Sequence, residues 1–335
     1  MTTIAFNFED GVTRIIEAKK GETVVTSAME ARINIPMDCN EGVCGVCKCR
    51  IKSGDCDMGD YIDDALTSEE ADEGYGLACQ IVPKTNMVIE ILASSAACKV
   101  KAEGFVTTIT GLDFLSPEIV RLVLKIKDGR RFKFLAGQYA NIELPGSVEH
   151  RSYSYSGVSH SGSSEFLIRL LPSGGMSDYI RSEAKVGDHL LVTGPFGGFY
   201  LRESKAPILF FAGGTGIAPF LAMLDKLKSE GGAKQPIQLF YGATSDENLV
   251  ELERLEGYKK ILPFDYKTCV SVGKSEKHAL GFVTQWVKKA YLGSVAYESY
   301  ICGPPAMVEA VKAAIAEEGI RLSHFYMEKF LPSGI

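Results

Sequence analysis

Residues 38–49 read DCNEGVCGVCKC, placing four cysteines, Cys39, Cys44, Cys47 and Cys49, in one short stretch that also carries two glycines. In a small secreted chain such a run marks a disulfide framework. This chain has 335 residues and is 46% apolar, enough to bury its cores without staples. Its nine cysteines are an odd number, which argues against a complete set of disulfides. The amino end, MTTIAFNFED, has neither the basic stretch nor the apolar core of a secretory signal. The chain is therefore expected in the reducing cytoplasm, where clustered thiols serve as metal ligands or as small buried apolar groups.

Charge narrows the partners. The net charge is −6, and it is unevenly spread: residues 1–98 hold 17 Asp and Glu against 8 Lys and Arg, the rest 25 against 28. So acidic a chain is a poor nucleic-acid binder. No run of about 18 apolar residues occurs, so no membrane-spanning helix is expected. The acidic amino-terminal region reads either as plain solvated surface or as a face that steers docking onto a basic partner. Asp55, Asp57, Asp60, Asp63 and Asp64 are the candidates for that face.

Cys39, Cys44, Cys47 and, after a long gap, Cys79 are spaced C-x4-C-x2-C…C. This is the ligand spacing of plant-type [2Fe–2S] ferredoxins, in which four thiolates hold two irons. Gly42 and Gly45 let backbone amides turn toward the sulfurs and offset the negative charge of a cluster. Four-thiolate zinc remains the alternative, although zinc sites more often use two C-x2-C knuckles. Residues 2–8 and 12–17 alternate as strands around the turn Glu9-Asp10-Gly11, and residues 26–32 read as a short helix. Residues 1–95 thus resemble the β-grasp ferredoxins. Cys49 and Cys56 read as structural, and Cys98, in the small-residue stretch ASSAACK, falls in an expected linker.

Residues 103–200 carry closely spaced strand signals, EIVRLVLKI, YANIELP, EFLIRLL and HLLVTGP, which predict an antiparallel barrel or sandwich. Arg151-Ser152-Tyr153-Ser154 lies within it. Alternate residues share a strand face, so Arg151 and Tyr153 put a fixed charge beside an aromatic ring, a pairing that suits a flavin but also occurs on plain exposed strands. Ser173-Gly174-Gly175-Met176-Ser177 precedes a helical stretch, DYIRSEAKVGD, and offers amides and a hydroxyl for phosphate. GQYANIELP, RSYS, GGMS and GDHLLVTGPFG together resemble the flavin domain of the ferredoxin–NADP reductase superfamily. The resemblance implies that Arg151 binds the flavin pyrophosphate, Tyr153 packs on the isoalloxazine, Ser154 meets flavin N5, and Gly175, Met176 and Ser177 bind phosphate. FAD in preference to FMN rests on the same resemblance.

From residue 206 the pattern changes to continuous apolar runs, as in strands buried on both faces. PILFFA is followed by Gly213-Gly214-Thr215-Gly216 and an apolar-periodic helix, a phosphate-binding βα unit, although Pro219 stands where a third glycine is usual. SYICGPPAMVEAVKAAIAEEG ends a strand at Cys302-Gly303, at a ligand-binding sheet edge, with Pro304 opening a helix. These stretches resemble the pyridine-nucleotide domain of the same superfamily. They imply that Gly214, Thr215 and Gly216 face the pyrophosphate, and that Cys302, Gly303 and Pro304 lie near the nicotinamide. Glu328-Lys329-Phe330 is similar to the family's ending, in which an acid and a flavin-covering aromatic close the chain. Here LPSGI continues beyond it, a departure that bears on the stacking role of Phe330. After LFYGAT stand Ser245, Asp246 and Glu247 and no arginine, which favours NADH through Asp246, while Lys274 and Lys277 keep a 2′-phosphate open.

The expected architecture is multidomain, α+β and α/β: a β-grasp ferredoxin domain with linker (1–98), an antiparallel β-barrel FAD domain (99–204) and a parallel-sheet, Rossmann-like NAD(H) domain (205–335). NADH gives two electrons at once and a [2Fe–2S] cluster takes one, so a flavin between them converts one into the other. The domain order resembles the reductase components of bacterial aromatic-ring oxygenases, the benzoate and toluate 1,2-dioxygenase reductases above all. That implies an NADH:acceptor oxidoreductase passing electrons from NADH to FAD to [2Fe–2S] to the Rieske centre of an oxygenase partner. Ser154, Cys302 and Glu328 are then expected at the hydride-transfer site. A reductase for a diiron monooxygenase or a deoxysugar pathway, or a non-catalytic redox-sensing module, are the alternatives.

Overall fold

The computed structural model describes residues 1–99, 101–157 and 162–330. Its contacts divide into two compact units, Met1–Glu103 with Lys133–Leu135 and Gly194–Gly198, and the remainder.

The first unit runs β1 (Thr2–Phe8), β2 (Thr13–Ala18), α1 (Val24–Glu30), β3 (Lys48–Ser53), β4 (Cys56–Asp57), α2 (Ser68–Asp72), β5 (Tyr75–Leu77), β6 (Val82–Pro83) and β7 (Met87–Ile91). Five strands form one sheet in the order β2-β1-β7-β3-β5, and β4 and β6 pair separately. Ile4, Phe6 and Phe8 alternate inward along β1, which lies antiparallel to β2 and parallel to β7. The helix begins two residues before the expected position because Thr23 caps it, its side chain accepting from Thr26 N at 3.2 Å. The chain leaves helical geometry by Arg32, at φ 59°. Residues 93–99, expected as a linker, are folded onto the unit. Asp10 accepts from Ser95 N at 2.9 Å and Ser95 Oγ at 2.8 Å, Asn34 N donates to Cys98 O at 2.8 Å, and Cys98 is buried. Small side chains there let the backbone pack closely instead of leaving it loose.

In the second unit β8 (Glu103–Ser116), β9 (Ile119–Ile126), β10 (Tyr139–Glu143), β11 (His150–Ser154), β12 (Ser163–Arg169), α3 (Gly175–Ser182) and β13 (His189–Phe196) come first. The strands form a six-stranded sheet in the order β11-β10-β13-β8-β9-β12. A bridge between Tyr155 and Phe166 joins its two ends, closing a barrel around aromatic side chains that pack edge-on and tilted. The helix after GGMS stops at Ser182; the expected VGD end forms a turn in which Asp188 accepts from Lys185 N at 3.0 Å.

Then follow β14 (Ile208–Gly213), α4 (Ala218–Ser229), β15 (Ile237–Ala243), α5 (Leu252–Lys259), β16 (Phe264–Val270), β17 (Ala279–Leu280), α6 (Lys289–Leu292), β18 (Tyr297–Gly303), α7 (Pro305–Glu317) and β19 (Leu322–Lys329). The sheet is parallel throughout, in the order β17-β16-β15-β14-β18-β19. Every residue of β14 is buried, as its unbroken apolar run requires. The stretch GFVTQWVKKA makes only a 3-10 turn and the four-residue α6, with Trp286 stacked on Phe240 at 5.5 Å. Strand order reverses between β14 and β18, the place where open parallel sheets hold ligands beyond their carboxyl ends. No helix of the described residues is long and apolar enough to cross a membrane.

Candidate functional site

In the first unit the loop between α1 and β3 brings the predicted thiols together in pairs. Cys39 is paired with Cys44 and Cys47 with Cys79, each thiol shifting the titration of its partner. Glu41 N donates to Cys39 Sγ at 3.4 Å, the Val43 amide also reaches Cys39, and the amides of Val46 and Gly42 reach Cys44 and Cys79. Donation from the Cys47 thiol holds Cys79 down to about 6, and the same bond holds Cys47 far above the ordinary thiol range. Burial pushes Cys44 up to about 11; Cys39 is lowered, the loop amides outweighing its burial.

The glycines make this loop possible. A Cβ on Gly42 (φ 74°) would stand 2.3 Å from Asp60 O, and one on Gly45 (φ 72°) 2.9 Å from Ala65 O. Among the described residues no three His, Cys, Asp or Glu side chains converge on a single ion. Two thiol pairs with amides aimed at their sulfurs fit a cluster of two irons, each taking two thiolates. Cys49, read as structural, is fully buried in β3.

In the second unit β11 carries Arg151 and Tyr153 on one face, in register with buried Ile142 and Ala140 of β10. Arg151 donates to Glu149 Oε2 at 3.2 Å and to His150 O at 2.8 Å, and Tyr153 is half-buried. Ser152 Oγ, on the other face, donates to Asn141 at 2.7 Å. α3 begins against the β10–β11 turn: a Cβ on Gly175 would lie 2.6 Å from Leu144. Its N-terminus has no side-chain cap, so the amides of Gly175 and Met176 head an open helix end beside the arginine strand. The Ser177 hydroxyl is buried and accepts from Leu171 N at 3.0 Å, shaping the loop. An open helix end beside a charged and aromatic strand face fits a flavin carrying a pyrophosphate.

On the nucleotide sheet the GGTG turn and the CGPP turn touch. A Cβ on Gly216 would fall 2.3 Å from Cys302 O, and one on Gly213 2.7 Å from Met307 Sδ and 2.9 Å from Pro304. Gly214 takes φ 56°, and Thr215 is buried beneath it. Only glycines allow this approach, and it leaves a tight backbone crevice of the kind a dinucleotide occupies. Asp246 stands exposed past the end of β15, where its carboxylate accepts from Ser275 Oγ at 3.0 Å. Lys274 and Lys277 flank that serine in sequence, so the loop bearing them is held beside Asp246. Phe330 N donates to Gly303 O at 3.0 Å; LPSGI lies outside the described residues.

Three segments far apart in the chain then meet. Ser154 Oγ donates to Glu328 Oε2 at 3.0 Å, and Cys302 Sγ lies 3.7 Å from the same oxygen. Cys302 and Glu328 are register partners on β18 and β19. Burial first and the Glu328 carboxylate second push the Cys302 thiol well above its ordinary value, so it stays protonated and donates. Behind this contact lies an ionic seam with no signature in the sequence. Arg254 Nη2 donates to Ser156 O at 2.9 Å and its Nη1 to Glu165 at 3.2 Å, both on the barrel, while it also pairs with Asp225. Arg121 of the barrel donates twice to Glu251, at 2.9 and 2.7 Å. Glu251 is almost wholly buried and sits at φ 64°, a strained backbone for a side-chain-bearing residue that its ion pairs help hold.

Comparison with known proteins agrees with this division. Residues 7–84 match a 2Fe-2S iron-sulfur cluster binding domain, residues 107–200 an oxidoreductase FAD-binding domain and residues 210–313 an oxidoreductase NAD-binding domain. The chain is 45% identical to the toluate 1,2-dioxygenase electron transfer component of Pseudomonas putida, covering 98% of each chain. It is 42% identical to the 2-halobenzoate 1,2-dioxygenase electron transfer component of Burkholderia cepacia, over 99% of this chain and 98% of that one. The chain belongs to the aromatic 1,2-dioxygenase electron transfer components. Among solved structures, the cytochrome P450 reductase GcoB of Amycolatopsis matches with a TM-score of 0.75 at 26% identity, covering 99% of this chain and 100% of that one. A ferredoxin reductase of carbazole 1,9a-dioxygenase shares the fold, with a TM-score of 0.68 at 23% identity and 98% coverage of each. This electron transfer component is thus an oxidoreductase with domains for [2Fe–2S], FAD and NAD.

Proposed function

We propose that the chain draws electrons from NADH and delivers them singly to the Rieske oxygenase component of a benzoate-type aromatic 1,2-dioxygenase in the cytoplasm. The three functional segments are 1–98, 99–204 and 205–335. The observation that carries this reading is the meeting of Ser154, Cys302 and Glu328 on one carboxylate oxygen.

Bound FAD supplies acceptance of an electron pair and release of single electrons, and the [2Fe–2S] cluster supplies single-electron carriage. The thiolates of Cys39, Cys44, Cys47 and Cys79 hold the cluster. Arg151 fixes the flavin pyrophosphate beside the amides of Gly175 and Met176, with Ser177 bracing the loop and Ser152 tying β11 to β10. Tyr153 packs on one flavin face and Phe330 covers the other. Gly214, Thr215 and Gly216, with Gly303 and Pro304, line the dinucleotide crevice, and Asp246 accepts from the ribose diol of NADH. Glu328 takes hydrogen bonds from the Ser154 hydroxyl and the Cys302 thiol. Its carboxylate is thereby held in one place, ready to orient the nicotinamide carboxamide and to buffer a proton that Ser154 Oγ would pass on as it takes one up in turn. The acidic residues from Asp55 to Asp64 form the docking face for the acceptor.

Anaerobic mixing with NADH tests the reading. The flavin should bleach first, and the electron paramagnetic resonance signal of a reduced [2Fe–2S] centre should follow. Admitting oxygen together with a benzoate-type oxygenase and its substrate should then give diol product at the rate of NADH consumption. A bleached flavin with a silent cluster would remove the relay. An active relay that supports only a diiron monooxygenase would reassign the acceptor, and a flavin that NADH does not reduce would leave a sensing module.

A further inference from the structure

Gln80 follows Cys79 directly, and two stretches of backbone, at Asn40–Gly42 and at Gly59, close around its side chain. Its Nε2 lies 3.3 Å from Asn40 O and 3.6 Å from Cys79 Sγ. Asn40 stands at φ 60°, within the loop between Cys39 and Cys44. A Cβ on Gly42 would sit 3.2 Å from Gln80 Cγ, and one on Gly59 2.8 Å from Gln80 O and 3.2 Å from its Oε1. Both neighbours of Nε2 are acceptors, so the amide group has only one sensible orientation: its two hydrogens go to the Asn40 carbonyl and the Cys79 sulfur, while Oε1 faces Gly59. One side chain therefore ties the first part of the ligand loop to the last ligand and aims a donor at that ligand's sulfur.

We propose that Gln80 is a positioning and tuning residue for the cluster, raising its reduction potential by donating a hydrogen bond to the sulfur of Cys79. The inference rests on the reading of Cys79 as a ligand. Reduction adds negative charge that spreads onto the ligand sulfurs, so a donor there stabilises the reduced form more than the oxidised one. The potential in turn decides how fully NADH loads the cluster and how readily the cluster gives its electron away.

The test is a redox titration of full-length holoprotein followed by electron paramagnetic resonance, with iron and acid-labile sulfide counted in each sample. Gln80→Met keeps much of the bulk and loses the donor; Gln80→Glu keeps the shape and replaces the donor with an acceptor that carries charge. The potential should fall from wild type to Gln80→Met and further to Gln80→Glu. Cluster potentials equal to wild type in both variants, at full iron content, overturn the proposal. Should either variant lose iron, wild-type protein with 15N in its glutamine side chains decides the matter: pulsed resonance should detect a nitrogen coupled to the reduced cluster, and its absence overturns the proposal. Cys79→Ala separates the two readings. If it keeps the wild-type cluster spectrum, Cys79 is no ligand; if it loses the cluster while the Gln80 variants keep the wild-type potential, only the role of Gln80 falls.

Discussion

The iron–sulfur unit and the flavin–nucleotide unit build their sites in opposite ways. Around the thiol pairs the chain works through its backbone: amides from Glu41, Gly42, Val43 and Val46 point at sulfur, and glycines admit carbonyls that any side chain would block. At the Ser154–Glu328 contact it works through side chains carried by three remote strands, held by a half-buried ionic seam. A backbone cradle is local and unforgiving of added atoms. A side-chain site is distributed, and it fails by degrees as its supports are removed.

The sharpest way to break the comparison is Gly42→Ala. The new methyl group would meet Asp60 O at 2.3 Å on a backbone at φ 74°, and the obstacle is main chain. Near-total loss of iron and acid-labile sulfide is expected, with no fall in FAD content. A variant that keeps its full cluster would show that the cradle is softer than the close approach implies.

Arg254→Met should come next. It strips a half-buried guanidinium from Asp225, Glu165 and Glu251 and leaves their carboxylates short of a partner. Breaking a fully buried pair costs about 3–5 kcal/mol, and this partly exposed one should cost less. The loss should appear as a lower temperature of FAD release, with the cluster's own bleaching temperature as the contrast between units. Ser154→Ala is smaller in energy and more specific. It removes the Ser154 donor to Glu328 and leaves that of Cys302. The limiting rate of flavin reduction by NADH should fall on the order of 10²-fold, and Ser154→Thr should recover much of it. Equal rates in the alanine variant and the wild type would remove Ser154 from the reactive contact.

The same contrast explains what could be read in advance. Cys39, Cys44 and Cys47 announce their loop because a local cradle leaves a local spacing, and β14 announces itself because burial on both faces leaves an unbroken apolar run. Cys302 is legible as the end of a strand at a ligand-binding sheet edge, but Ser154 and Glu328 only through resemblance; nothing in their spacing says that residues 154 and 328 share a hydrogen bond. The seam is less legible still. Arg254, Glu251 and Arg121 look like ordinary surface charges until the fold buries them, and Gln80 looks like any polar residue after a cysteine. Helix ends strayed for a related reason: the Thr23 cap and the Asp188 turn depend on single hydrogen bonds that periodicity does not register.

The finest test uses one buried thiol from each unit. Burial, with Asp10 and Glu9 adding to it, pushes Cys98 up to about 12 from an ordinary 9.0, and burial pushes Cys269 up to about 11. Each folded unit thus keeps a proton that its unfolded chain gives up above about pH 9. Stability from these thiols is fully present below that pH and declines as pH rises through the gap, by about 1.4 kcal/mol per thiol at pH 10. Denaturation of wild type and Cys98→Ala, followed by cluster absorbance, should therefore differ by a constant amount below pH 8 and converge by about 1.4 kcal/mol at pH 10. Cys269→Ala, followed by flavin fluorescence, should do the same. The two then part company: the Cys269 effect levels off near pH 11, where its folded form also ionises, while the Cys98 effect continues to grow toward pH 12. A Cys98 effect that levels off first would mean that water reaches residues 93–99, and that this stretch is the loose connection its small residues suggested.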